Sequence, residues 1–317
     1  MEAFLQILVL LGFMVAGAAV HLLRLSPPPK ISDLLIKIVL WALLFVMGFR
    51  LGNARELRDR LGEIGLLAIS TAIVSVAGTV LAIWIAYAAL DALHSGRESA
   101  GGGAGAKAGH ARTRLDWNHF KSPATLLSVV IVGFAIGAFS PEAALDYGRV
   151  TGWVLNALLF MIGLQFAQSG ISLRSAFVRA DTALVPIATV AGSLAGGLAV
   201  AAVFGLSAGK GLSLAAGFGW YSLSGVLISD LGDPALGSAA FLANMARESL
   251  ALILIPVLAT TKRPYAAIGV GGATAMDVTL PLVEQCLGPD SVPVSFTSGA
   301  ILSLLVPVLV PLFYGLG

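Results

Sequence analysis

The sequence predicts an all-α polytopic membrane protein with about eight transmembrane helices, two re-entrant polar segments and inverted internal repeats, with ten spans as the alternative. Three observations lead there. Of 317 residues, 57% are hydrophobic and 11% charged, mean hydropathy is +0.92, and several apolar runs can cross about 30 Å of hydrocarbon. Residues 217–259 and 269–310 repeat one passage: a Gly-led polar segment, a Gly/Asp/Pro turn, and an apolar helix ending Ile255-Pro-Val-Leu258 or Val306-Pro-Val-Leu309. Finally, Leu43-Leu-Phe-Val-Met-Gly-Phe-Arg-Leu51 aligns without gaps on Leu158-Leu-Phe-Met-Ile-Gly-Leu-Gln-Phe166.

Taken in order, spans are expected near 3–24, 34–52, 64–90, 123–140, 150–167 and 182–205, each bounded by charged or Pro/Gly-rich stretches. Residues 1–25 start acidic at Glu2, lack a basic leader and end His21-Leu-Leu-Arg24 without a cleavage pattern, so they read as a span rather than a signal peptide. Gly12–Gly17 echoes Gly133–Gly137 one helix upstream of the Leu43/Leu158 match. Each copy contains three spans, and an odd number forces the second to enter from the opposite face. The expected organisation is a first three-helix repeat (1–94), a flexible Gly-rich cytoplasmic linker (95–122), a second inverted repeat (123–206) and a duplicated re-entrant/helix substrate-binding unit (207–317).

The linker composition cannot build a core, so His94, His110 and His119 beside it are not expected ligands. A single cysteine, Cys286, forms no internal disulfide, and no metal or cofactor motif is present. Net charge of +2 is too small to imply nucleic acid. With the N-terminus outside, inner loops hold ten basic residues (Arg24, Lys30, Lys37, Arg97, Lys107, Arg112, Arg114, Lys121, Arg174, Arg179). The outer loops hold six (Arg50, Arg55, Arg58, Arg60, Arg149, Lys210), which favours both termini outside by the positive-inside rule. If the polar segments 212–231 and 266–286 are re-entrant, Lys262 and Arg263 join the inner set and the count becomes twelve to six.

Polar and acidic groups at membrane depth are costly and persist where protein or a water-filled cavity surrounds them, so the duplicated polar passage points to a transport site. The strongest chemical feature is Asn244-Met-Ala-Arg247-Glu248 within an apolar helix. Asn244 and Glu248, four apart, share a face, while Arg247 lies about 100° round from Glu248 and need not pair with it. Glu248 reads either as an ion or substrate group or as half of a buried ion pair that fixes packing. Asp277, in Gly271-Gly-Ala-Thr-Ala-Met-Asp-Val-Thr-Leu-Pro281, reads either as a ligand at a broken helix or as a cap. Asp230 and Asp233, in Ser229-Asp-Leu-Gly-Asp-Pro234, have turn composition.

The segments Gly217–Gly225, Gly237–Glu248, Gly272–Pro281 and Ile301–Pro307 resemble the bacterial and archaeal lysine exporter family LysO. The resemblance is specific over the C-terminal third and rests on Met47-Gly48 and the span pattern elsewhere. It implies a multi-pass inner-membrane exporter of L-lysine and analogues such as thialysine, not an enzyme. The Gly-rich insert looks individual to this chain, and at the end of the second helix, Asn53-Ala-Arg55-Glu56, the nearest candidate for any family acid expected there is Glu56. Lysine carries a carboxylate and two ammonium groups. Broken-helix N-termini suit the first, Glu248 and Asp277 the second, with Asn244, Tyr221, Ser222 and Ser224 as orienting groups and Arg247 beside them. Proton antiport through Glu248 is the expected coupling, with sodium coupling or another cationic amino acid as the alternative. An intramembrane acid hydrolase using Asp230 or Asp233 with Asp277 is a further class, and a passive channel a third. The expected partners are L-lysine, protons or sodium and the lipid bilayer, and a homo-oligomer is left open.

Overall fold

The computed structural model describes residues 2–53, 61–95, 121–141, 147–168 and 180–317, and over these the chain contains helices and turns with no strand. Six long helices come first: α1 (Glu2–Leu22), α2 (Pro29–Asn53), α3 (Leu61–Ser95), α4 (Lys121–Phe139), α5 (Tyr147–Gln168) and α6 (Ala180–Phe204). The run Pro27-Pro28-Pro29 cannot extend α1, and Pro29, lacking an N–H, opens α2 where no intrahelical donor is needed. Of the Gly-rich linker, residues 96–120 lie outside the described residues, as does Glu56. Four helical stretches of the described residues are long and apolar enough to cross a membrane: Leu61–Ala92, Ala183–Phe204, Pro234–Leu258 and Pro289–Tyr314.

Glycine sets how these helices pair. A Cβ on Gly48 would strike the Val130 carbonyl, one on Gly133 that of Phe45, so α2 and α4 pack backbone to backbone. They run parallel, because Asn53 at the end of α2 donates to the carbonyls of Gly137, Ser140 and Pro141 at the end of α4, at 3.1, 3.3 and 3.0 Å. Gly17 and Gly163 do the same for α1 and α5, against Phe160 and Met14, and Gly78 faces Gly192 between α3 and α6. Gly48 and Gly163, matched in the sequence alignment, therefore hold equivalent crossings.

The C-terminal part is built differently. Two short helices, α7 (Ala208–Ala215) and α8 (Tyr221–Asp230), precede the long α9 (Pro234–Leu258). Lys210 in α7 and Asp233 beyond α8 form an ion pair at 2.9 Å, so this segment enters and leaves at one end of the molecule. Asp233 also caps α9 by accepting from the Leu236 N–H at 3.0 Å. A second broken segment follows: α10 (Ala266–Gly271), a 3₁₀ turn (Gly272–Met276) and α11 (Leu280–Leu287), leading into α12 (Val292–Tyr314). It sits at the opposite end of α9. Tyr265 meets Tyr87 of α3 with ring centroids 5.6 Å apart, and Leu282, Val283 and Cys286 join the cluster formed by Ala251, Leu252, Ile255 and Leu258.

The tips of the two segments meet in the interior. The first break carries left-handed backbone at Phe218 (φ 47) and Gly219 (φ 98), the second at Gly272 (φ 60). Between them the Ala273 N–H donates to the Phe218 carbonyl at 2.8 Å, joining two irregular stretches that no helix can satisfy. A Cβ at Gly272 would run into that same carbonyl, so Gly272 is required for both its φ and its space. Gly272→Ala is expected to cost about 1–3 kcal/mol, measured as a lower thermal unfolding midpoint of the purified protein. Gly62→Ala, where a Cβ meets nothing within 4 Å, should leave the midpoint unchanged.

Candidate functional site

α9 carries the buried polar row. Asn244 is used up in holding the first break: its Oδ1 accepts from the Gly219 N–H at 2.8 Å, while Nδ2 donates to Ser224 Oγ, Ala240 O and Leu214 O at 3.1, 2.9 and 3.3 Å. Ser224 is thereby part of the same clamp. Tyr221 is buried and packs edge-on against Phe241, centroids 5.6 Å apart. On the second break Ser295 of α12 does a similar job, donating to the Ala275 carbonyl at 2.7 Å.

Arg247 and Glu248, adjacent and almost fully buried, make no ion pair with each other. The Arg247 guanidinium donates to Ser193 Oγ (2.7 Å), Thr79 Oγ1 (3.2 Å) and the Gly269 carbonyl (3.3 Å), and Thr79 and Ser193 are themselves 3.0 Å apart. Its charge is spread over the dipoles of α3, α6 and the second broken segment. Glu248 differs: it is 1% exposed and neither carboxyl oxygen has a hydrogen-bond partner. A buried carboxylate without partners is among the costliest groups a fold can hold, so its presence calls for a bound proton or cation.

Asp277 ends the 3₁₀ turn and accepts from the Val278 N–H at 2.6 Å. It lines a cavity of about 220 Å³. One wall of that cavity is Ile36 and Leu40 of α2 with Leu158, Ile162 and Gln165 of α5; the other is Trp220, Ser222, Ala273, Thr274, Met276, Asp277 and Ser303. The first wall is apolar apart from Gln165, and the second carries the hydroxyls and the acid. Trp220, which precedes α8, offers no side-chain cap, and the Tyr221 N–H is taken by the Gly219 carbonyl at 3.0 Å, so the open N–H groups of the first turn are those of Ser222 and Leu223. No cluster of His, Cys, Asp and Glu able to hold a metal occurs among the described residues.

Of the residues singled out from sequence, Asp277 and Ser222 line the cavity, Glu248 and Arg247 lie in the interior, and Asn244, Ser224 and Tyr221 support the first break. Sequence reasoning passed over Gln165, Trp220, Ser303, Thr79 and Ser193. Gln165 carried a signal, as one of three amides, with Asn156 and Gln168, in an apolar span. Thr79 and Ser193 carried none, since hydroxyls commonly bond their own helix, as Thr79 does to the Ser75 carbonyl at 2.8 Å.

Comparison with known proteins gives a consistent result. The family profile described as "Lysine exporter LysO" matches residues 11–106 and 127–314. The "Lysine exporter LysO" of Escherichia coli K12 is 33% identical over 312 residues, covering 98% of this chain and 99% of that protein. A "Putative lysine exporter" of Haemophilus influenzae is 34% identical over 188 residues, 59% of this chain and 96% of that one. No solved structure matches.

The clamp gives a prediction that any structural account of Asn244 must meet. Asn244→Ala strands the Gly219 N–H in the interior and is expected to destabilise by about 1–3 kcal/mol, read as a shift in thermal unfolding in detergent. Ser249→Ala, whose hydroxyl bonds the Met245 carbonyl of its own helix at 3.1 Å, should change little.

Proposed function

The chain belongs to the LysO family of lysine exporters, and we propose that it exports L-lysine and close analogues such as thialysine across the cytoplasmic membrane in exchange for protons. The observation that carries the coupling is the orphaned carboxylate of Glu248. Export of a monocation from a negative-inside cell works against about 2.3 kcal/mol per 100 mV, and exchanging one lysine for one proton removes that electrical term. An acid that holds either a proton or an ammonium group performs the exchange by competition. Asp277 takes the ammonium group that enters the cavity, and the uncapped first turn of α8, through the N–H groups of Ser222 and Leu223, receives the carboxylate. Thr274, Gln165 and Ser303 supply the remaining polar contacts.

The architecture in this reading is eight spans plus two re-entrant segments, with both termini outside. Support comes from the Lys210–Asp233 ion pair, which closes the first segment at one end, and from the position of the second at the other end of α9. Inverted repeats account for the equivalent glycine crossings of α1 with α5 and α2 with α4, and for Asn244 and Ser295 supporting one break each. The hydrolase reading loses support, because Asp233 is engaged by Lys210 and the Leu236 N–H. Sodium coupling remains the competing form of the transport reading.

Three experiments test this. Glu248→Gln keeps shape but removes titration, and is expected to insert and fold yet lose lysine-driven proton movement in proteoliposomes; a stable variant with wild-type proton coupling would take Glu248 out of the mechanism. Varying sodium at fixed pH in the same vesicles should leave wild-type lysine counterflow unchanged. For topology, single cysteines at positions 262 and 210, in a Cys286→Ala background, should react with an impermeant thiol reagent from the cytoplasmic and external face respectively. Equal labelling from one face would support ten spans instead.

A further inference from the structure

We infer that a groove on the outer face of α3, beside the turn after α9, is a binding site for an anionic phospholipid, with an acyl chain along α3 and the phosphate at Lys262. The groove has a volume of about 600 Å³ and is separate from the polar cavity between the breaks. Its floor is Leu81, Trp84, Ile85 and Ala88, which recur at i, i+3, i+4 and i+7 and so form one stripe of α3. That stripe is uncovered by protein: Leu81, Trp84 and Ile85 are 58%, 41% and 67% exposed, within a stretch long and apolar enough to span a membrane. Such a face looks to hydrocarbon.

At one end the groove stops at Lys262 and Arg263. The Arg263 guanidinium is already matched by Asp91 at 2.5 Å, which also removes the Asp91 charge as a source of repulsion. The Thr261 hydroxyl is spent on the Leu258 carbonyl at 2.6 Å. Lys262, exposed, makes no ion pair or side-chain hydrogen bond among the described residues. The groove thus ends in one uncompensated cation over a long apolar floor. The occupant complementary to that shape is apolar along its length and anionic at its head, which describes a phospholipid of the acidic class. Trp84, seven residues before Asp91 and so about 10 Å further along the helix, offers a flat ring at the depth where headgroup gives way to acyl chain.

The test uses the purified full-length chain, stripped of lipid in detergent and then given phosphatidylglycerol or phosphatidylcholine, with retained lipid read by native mass spectrometry. Wild type is expected to retain phosphatidylglycerol about fivefold better than phosphatidylcholine. Lys262→Gln should abolish that preference, Lys262→Arg should keep it, and Trp84→Ala should weaken retention of both lipids. Lys262 is at the rim and exposed, so its variants test the site without threatening the fold. Equal retention of the two lipids by wild type, or an unchanged preference in Lys262→Gln, would overturn the assignment. Displacement of phosphatidylglycerol by millimolar inorganic phosphate would instead mark a soluble-anion site, and a dimer mass lost on Trp84→Ala would mark an interface between copies; either result also overturns it.

Discussion

Backbone that leaves the helix in the middle of a membrane must find its hydrogen bonds within the protein, and this chain meets the requirement by letting two breaks satisfy each other. The Ala273 N–H to Phe218 carbonyl bond, 2.8 Å long, joins them, and much of the C-terminal architecture follows from keeping it in place. Gly272 has to be glycine so that the carbonyl can approach. Asn244 has to be an amide, since it both accepts from Gly219 and donates to three oxygens around the first break. Ser295 supports the second break from α12. Because α9 and α12 each lend a side chain to a break, the helices and the broken segments form one connected interior rather than separate layers.

The cavity inherits its asymmetry from this arrangement. Its polar wall is the broken backbone and the residues attached to it, where hydroxyls and Asp277 are tolerated because protein and solvent share the solvation. The opposite wall belongs to α2 and α5, unbroken helices that pack through glycine, so they present Ile36, Leu40, Leu158 and Ile162 with only Gln165 as a polar group.

Much of this was legible in the sequence, but unevenly. The all-helical class followed from hydropathy, and the duplicated Pro-Val-Leu passages pointed to the two broken segments because glycine, proline and acid have few other reasons to recur inside apolar stretches. Asp277 and Ser222 were drawn from those passages and do line the cavity. Gln165, Trp220 and Ser303 were not, since the elements carrying them are far apart in sequence and only packing brings them to one wall. The division of labour was likewise invisible. Asn244 and Glu248 share a helix face by spacing, yet the first is saturated with hydrogen bonds and the second has none, a difference set by the partners that α7 and α8 supply.

The adjacency of Arg247 and Glu248 without a bond between them bears on how an exchanging acid can exist at this depth. A buried ion pair would stabilise the carboxylate in its charged state and make its release costly, which suits a strut and not a group that must alternate between partners. One residue of helical rotation, about 100°, separates the two side chains. Arg247 turns instead to neutral oxygens, Ser193, Thr79 and the Gly269 carbonyl, which spread its charge without competing for Glu248. The guanidinium is thereby engaged elsewhere, and both Glu248 carboxyl oxygens are left free of a fixed partner. In the proposed exchange that is the required combination: an environment in which a second cation, proton or ammonium, is always wanted and never supplied by the protein itself.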